Sequence, residues 1–273
     1  MPSIYRRFAE RHNAGVENAD TIVLRLAYLG GGFAGWQRQR RARTVQSEVE
    51  RALEHLYGAA VRVRAAGRTD AGVHASGQVA QFRAPSPIPP DGVLAALNSL
   101  LPHDVRVVHA ARASAAFDVR RDAIGKLYRY RLAWGIPLPP WDGLRTWVLR
   151  TTPDVDAMVR GLTLFEGCHD FAAFALAGHA GTGARGTVRS IAHACARRRG
   201  RHLVVDLIGD GFLRGMARRI VGALVEVGRG ARPISWVEAL LADSATKPPA
   251  PTAPAHGLTL ERVLYRRPPR QRG

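Results

Sequence analysis

The segment Gly67-Arg68-Thr69-Asp70-Ala71-Gly72-Val73-His74-Ala75-Ser76-Gly77 sets a carboxylate two residues after a guanidinium and four before an imidazole. An ionised carboxylate can attack carbon or stabilise a developing cation, and a neighbouring arginine can grip phosphate. The glycines permit tight turns and close approach of a ligand to the backbone. Strand-like stretches on either side make the segment a loop on a rigid scaffold, which is where catalytic groups concentrate. From spacing alone, an Asx-type turn between Arg68 and Asp70 with a satisfied loop histidine is the favoured reading.

Two further segments carry groups of this kind. In 212–227, Leu213, Met216, Ile220, Ala223 and Val227 form one helical stripe, and Val221 and Val225 make the opposite face apolar. Such a helix is expected to be covered on both sides. Arg214 and Arg218, spaced i to i+4, project to that second face, where a guanidinium needs a carboxylate or a phosphate unless it snorkels to solvent. In 126–131, strand alternation puts Lys126, Tyr128 and Tyr130 on one face and Leu127, Arg129 and Arg131 on the other. Aromatics interleaved with cations suit base stacking and phosphate contacts, and equally an ordinary strand with a basic edge.

Positioning these groups takes a scaffold of mixed elements. Strands are expected at 21–29, 61–66, 77–82, 105–113, 126–134, 189–197, 202–208 and 258–265. Helices are expected at 44–57, where Thr44 caps and Val45, Val49, Leu53 and Leu56 align, and at 91–100, 155–165 and 212–227. The alternation lacks the rhythm of a doubly wound sheet, so the fold class is α+β. Residues 1–20 and 266–273 read as tails, 175–186 and 243–256 as exposed loops, and a subdomain boundary falls near 114–121.

Of the 273 residues, 46% are hydrophobic and 7% aromatic, as in a globular protein. No apolar run approaches the roughly 18 to 20 residues of a membrane span. The start of the chain has no apolar run followed by a small-residue cleavage site, so the cytoplasm is the expected location. Two cysteines, Cys168 and Cys195, make no disulfide framework. A net charge of +18 and a pI near 11.4 favour nucleic acid as partner, because a positive surface gains free energy by releasing the counterions of a polyanion.

The order of several motifs resembles the TruA family of tRNA pseudouridine synthases. They are Gly35-Trp36-Gln37 with Thr44-Val45-Gln46, Gly67 to His74, Asn98 with Leu101-Pro102, Lys126 with Tyr128 and Tyr130, and Gly167-Cys168-His169-Asp170-Phe171. Phe212-Leu213, Met216, Arg218, Ile220-Val221-Gly222 and Ala253-Pro254-Ala255-His256-Gly257-Leu258 follow, so the resemblance covers about residues 21 to 265. The chain departs from the family's usual pattern at Tyr28-Leu29-Gly30-Gly31 and at Phe117-Asp118-Val119-Arg120, positions where peripheral substrate contacts are at stake.

The resemblance implies an isomerase converting uridines 38, 39 and 40 of the tRNA anticodon stem-loop to pseudouridine, with no metal, nucleotide or other cofactor. It implies Asp70 as catalytic nucleophile, Arg218 as its partner, and Tyr128 as a stacking group or a base. Arg68 and Lys126 join Tyr128 in binding substrate, with Arg68 helping to fill the space left by a flipped uridine. It further implies two similar subdomains, 21–115 and 116–265, with mixed, mainly antiparallel sheets flanking a basic cleft, and a homodimer that shares one tRNA without any membrane partner.

Three rival readings exist. Gly30-Gly31-Gly32-Phe33-Ala34-Gly35 matches GxGxxG after a strand, although no helix is expected before Thr44 and no acidic residue ends the next strand. Cys168, His169, His193 and Cys195 contain zinc-ligand types without the familiar CxxC spacing. An RNA-binding protein without turnover accounts for the charge but not for Asp70, Tyr128 and Arg218 together.

Overall fold

The computed structural model describes residues 20–176, 186–242 and 249–266. Nearly all of both expected tails, and much of the two expected loops at 175–186 and 243–256, lie outside the described residues. The described residues divide into two compact units, those within 20–124 and 263–266, and those within 125–262.

In the first unit, β1 (Thr21–Tyr28) lies between β3 (His74–Arg83) and β4 (Val105–Ala113), antiparallel to both, and β2 (Arg64–Ala65) pairs with β3. Ile22, Leu24 and Leu26 of β1 are fully buried. Burying each such side chain contributes about 1.5–3 kcal/mol. Helix α1 (Val45–Tyr57) opens with a capping box, in which the Thr44 side chain accepts from the Ser47 N–H and the Ser47 side chain from the Thr44 N–H. Its buried residues include Val45, Val49, Ala52 and Leu53. Helix α2 (Pro90–Leu100) is tied to β4 by Asn98, which donates to the Val107 carbonyl and accepts from its N–H at 2.8 and 2.9 Å.

The departure at Asp118-Val119 has a structural role. Asp118 accepts backbone N–H bonds from Arg120 and Arg121, both at 2.9 Å, and pairs with Arg64 at 2.9 Å. Those N–H donors, Arg121's first, hold its carboxyl below the usual range. Val119 is fully buried, and its carbonyl accepts from the Tyr265 hydroxyl at 2.7 Å.

In the second unit, β5 (Ala123–Trp134) pairs antiparallel with β9 (His202–Gly209), β9 with β8 (Val188–Arg199), and β8 with β7 (Gly167–Asp170). A short β6 (Trp147–Leu149) adds a parallel pair to β5, and β10 (Leu258–Tyr265) lies on β5's other side. Helix α3 (Val155–Thr163) is capped by Asp154, which accepts from the Ala157 N–H. Helices α4 (Met216–Gly228) and α5 (Ile234–Ala242) follow, and α4 buries Ile220, Val221, Ala223, Leu224 and Val225. Apolar residues around most of its circumference give α4 cover on both faces.

Three strand predictions change in extent, and one of them is the strand expected at 126–134, which begins at Ala123. The segment 61–66 pairs only at Arg64–Ala65, and the strand expected at 77–82 begins earlier, at His74. Ladder hydrogen bonds, which periodicity does not register, set these limits.

Candidate active site

The Asp70 loop runs from the end of β2 to the start of β3 and is fastened from several sides. The Gln78 amide donates to the Gly67 carbonyl at 3.0 Å, the Trp36 N–H to that of Thr69 at 3.1 Å, and the Gly72 N–H to that of Phe33 at 3.3 Å. Within the loop, the Val73 N–H returns to the Asp70 carbonyl at 3.1 Å. Backbone bonds on both sides of Asp70 fix where its side chain starts, so little entropy remains to be lost when a ligand arrives. Asp70 is half-buried, Arg68 on the same loop is exposed, and Thr69 between them is buried.

Thr69 is held by Tyr28, whose hydroxyl lies 2.9 Å from the Thr69 hydroxyl and 3.4 Å from the Gln78 amide nitrogen. A register shift between Leu26 and Tyr28 bends β1 where this contact is made. Burial pushes the Tyr28 phenol up to about 12, with hydrogen bonds to Thr69 and Gln78 opposing the rise. Tyr28 therefore stays neutral and acts as a strut. Sequence reasoning passed over it, and the available signal was a hydroxyl-bearing residue ending an otherwise apolar strand.

Gly35 makes the closest approach. Its φ is +94°, and a Cβ there would fall 2.7 Å from the Thr69 carbonyl oxygen. Only glycine lets the Gly35-Trp36 segment lie so near Asp70. The triglycine has a related role: Gly30–Gly32 is a 3-10 turn, and a Cβ at Gly30 would fall 2.1 Å from the Val73 carbonyl oxygen. No helix opens in these glycines, since α1 begins at Val45, so the pyrophosphate-binding helix terminus of a dinucleotide site is missing here. His74 is buried and accepts the Gly30 N–H on Nδ1 at 3.1 Å, which ties this turn to the loop.

The remaining sequence-chosen residues lie in the second unit. Tyr128 is 8% exposed, pairs with Leu207 in the β5–β9 ladder, and meets Phe212 edge-on at 4.8 Å between ring centres. Lys126 is half-buried two residues earlier on β5. Tyr130 shares the face but not the expected accessibility: it is 1% exposed, donates to the Pro254 carbonyl at 2.7 Å, and lies close enough to Arg218 to feel its charge. Burial raises its phenol well above the usual range. Tyr130 is thus a core residue and no platform for a base.

The basic residues on β5's other face meet carboxylates. Arg129 makes a two-pronged pair with Asp206 at 2.7 and 2.8 Å, Arg197 joins Asp206 at 2.5 Å, and Arg131 reaches Glu261 at 2.9 Å. Burial alone would raise the Asp206 carboxyl, but the hydrogen bonds from Arg129 and Arg197 prevail and hold it below the usual range.

Arg218 lies in the first turn of α4, with its Nε–H on the Ala253 carbonyl at 2.8 Å, while the Ala253 N–H returns to the Arg218 carbonyl at 3.2 Å. The expected i to i+4 pair with Arg214 does not form on the helix. Gly215, left-handed at φ +74°, is the N-cap, so the exposed Arg214 precedes the helix. The periodicity of 212–227 continued through a residue whose backbone interrupts it. Arg219, which the sequence reading passed over, donates to the Ala173 and Ala175 carbonyls at 3.3 and 2.6 Å, and burial lowers its guanidinium pKa.

The structure thus puts Arg68 and Asp70 on one loop of the first unit, and Lys126, Tyr128 and Arg218 in the second. Among the described residues, no group of three or more His, Cys, Asp or Glu side chains is arranged to hold a metal.

The profile of a family described as tRNA pseudouridine synthase matches residues 26–121 and 162–266. The tRNA pseudouridine synthase A of Myxococcus xanthus is 43% identical over 245 residues, covering 90% of this chain and 92% of that protein. The tRNA pseudouridine synthase A 1 of Desulfotalea psychrophila is 39% identical over 250 residues, covering 89% and 99%. The tRNA pseudouridine synthase A of Moorella thermoacetica is 41% identical over 246 residues, covering 89% and 99%. A solved Cbf5-Nop10-Gar1 complex overlaps with a TM-score of 0.36 at 12% identity, over 76% of this chain and 45% of that one, too slight a likeness to inform fold or function.

Proposed function

Because the chain belongs to the tRNA pseudouridine synthase family and is an isomerase of tRNA uridine, we propose that it converts uridines 38, 39 and 40 of the anticodon stem-loop to pseudouridine, with Asp70 as nucleophile. The observation that carries this reading is the fastening of the Asp70 loop, with Thr69 bonded through both its carbonyl and its hydroxyl and Asp70 left half-buried beside it.

The reaction breaks the bond from ribose C1′ to uracil N1 and forms one from C1′ to C5. C5 loses a proton and N1 gains one, so the product is an isomer. The Asp70 carboxylate either traps C1′ or adds to the ring while the freed uracil turns, and in a third route a base removes the ribose C2′ proton to give a glycal. A stacked uridine cannot reach the loop, so it is flipped out at a cost of a few kcal/mol. Arg68, exposed and two residues before Asp70, fills the vacated space. Lys126 contacts the backbone phosphates, and Tyr128 stacks on the extruded base or serves as the base of the glycal route. Arg218 is the partner assigned to Asp70 in this reading and orients its carboxylate.

The cytoplasm is the compartment this reading assigns to the reaction. The small area one site offers a tRNA motivates a homodimer, and a monomer by light scattering at working concentration would overturn that part. The activity is tested by incubating wild type and Asp70→Ala with unmodified tRNA and mapping pseudouridine through its carbodiimide adduct by primer extension. Product in the anticodon arm from wild type alone, with both proteins binding, supports the reading, and no product from wild type on any tRNA overturns it.

A further inference from the structure

The loop joining the Asp70 site to α1, Gln37-Arg38-Gln39-Arg40-Arg41-Ala42-Arg43, holds four arginines in six residues, and the structure uses them in two ways. Arg38 and Arg43 anchor the loop. Arg38 pairs with Glu50 at 3.3 Å and donates its backbone N–H to the Gln46 side chain at 3.0 Å. Arg43 makes a two-pronged pair with Asp104 at 2.8 and 2.9 Å, bonds Glu48 at 3.0 Å, and stacks over the Phe33 ring at 4.2 Å. Gln39 closes the turn by donating to the Ala34 carbonyl at 3.0 Å.

Arg40 and Arg41 lie between these anchors, are exposed, and with Gln39 and Ala42 line a concavity of about 680 Å³. Neither meets a carboxylate among the described residues, although their neighbours Arg38 and Arg43 are both paired. Two adjacent guanidiniums on a loop pinned at both ends make a local positive field that suits an anionic ligand. The loop also starts at the catalytic segment, since Trp36 bonds the residue before Asp70. Four residues of extended chain reach at most about 14 Å, so Arg40 stays near the site.

We propose that Arg40 and Arg41 form a phosphate clamp that grips the RNA backbone beside the nucleotide presented to Asp70. This rests on the function proposed above and adds which groups hold the flanking phosphates. Guanidinium forks suit phosphate oxygens, and the anchored loop keeps the ordering cost of binding low.

The test compares wild type, Arg40→Gln/Arg41→Gln, and the charge-matched control Arg25→Gln/Arg83→Gln, whose arginines are exposed on β1 and at the end of β3 remote from His74. Affinity is measured against salt concentration for full-length tRNA and for an isolated anticodon stem-loop RNA. Without the two guanidinium–phosphate pairs, the log–log salt slope should fall by about 1.5 and binding should weaken about tenfold at 0.1 M salt on both RNAs. Turnover at saturating tRNA should stay within about twofold of wild type, so that KM moves and kcat does not. An unchanged slope, or an equal fall in the control, overturns the clamp. A fall on full-length tRNA alone also overturns it, because the two arginines then touch RNA away from the target nucleotide. Wild-type pseudouridine formation is scored separately, so a clamp without turnover would count against the function and not against the clamp.

Discussion

The backbone N–H of Trp36 donates to the carbonyl of Thr69 at 3.1 Å, one residue ahead of Asp70. This bond joins the loop after β1 to the loop before β3 and makes the position of the carboxylate depend on a segment more than thirty residues away. Gly35 permits it.

Gly35→Ala should therefore damage the site more than the fold. A side chain at φ +94° with its Cβ 2.7 Å from the Thr69 oxygen strains the backbone by about 1–3 kcal/mol. The loop is expected to shift, so kcat should fall at least tenfold with a modest loss of Tm, as measured by thermal unfolding and single-turnover assay. Wild-type kcat in this variant would refute the coupling.

Asp70→Asn keeps the shape of the side chain and removes the carboxylate proposed as nucleophile. Turnover should fall by more than about a thousandfold, as for other nucleophile removals, while tRNA affinity changes less than about threefold. A comparable loss of affinity and of rate would make Asp70 a binding group.

Tyr28→Phe removes the hydroxyl that supports Thr69 and should destabilise the protein by about 1–2 kcal/mol. The pH dependence has a defined sign. The folded pKa of about 12 lies above the ordinary value of 10.0, so the neutral phenol's contribution is complete below pH 10 and is lost as pH rises towards 12. Denaturant melts from pH 9 to 12 should show a steeper alkaline loss in wild type than in Tyr28→Phe, with equal slopes contradicting the assignment.

Asp206→Asn leaves Arg129 and Arg197 without their shared carboxylate. Both arginines are partly exposed, so the expected cost is about 2 kcal/mol, below the range for a fully buried pair. Because the folded pKa is depressed, the carboxylate's contribution is present above its unfolded value and is lost as pH falls through the lower folded one. Acid unfolding should be less steep in the variant, and an unchanged acid limb would count against the network.

Arg218→Lys separates charge from geometry. Lysine keeps the cation but loses the directed Nε–H bond to Ala253. Turnover should fall at least tenfold while Tm drops only a few degrees. A Tm loss that accounts for all of the lost activity would restrict Arg218 to holding the 253 segment.

The α+β class, the main helices and most strands were legible in the sequence because each buries a face whose period is written along its own residues. Helix α1 with its Thr44 cap and β5 with its alternation are of this kind. The Asp70 loop stood out for a different reason: the spacing within it fits an ordinary turn, and only the order of several motifs along the whole chain resembles a known family.

What the sequence could not give were pairings between distant segments. Tyr128 and Tyr130 look equivalent along β5, yet Tyr130 is sealed in by Pro254 and Gly257, which arrive more than a hundred residues later. Arg129 and Arg131 read as free cations until β9 and β10 bring Asp206 and Glu261 alongside. Local pattern determines which elements form and which residues are chemically able, because propensity and periodicity act over a few residues. Tertiary structure alone decided which cations are neutralised and which glycines bear close contacts, because burial and ion pairing depend on neighbours that the chain supplies from elsewhere.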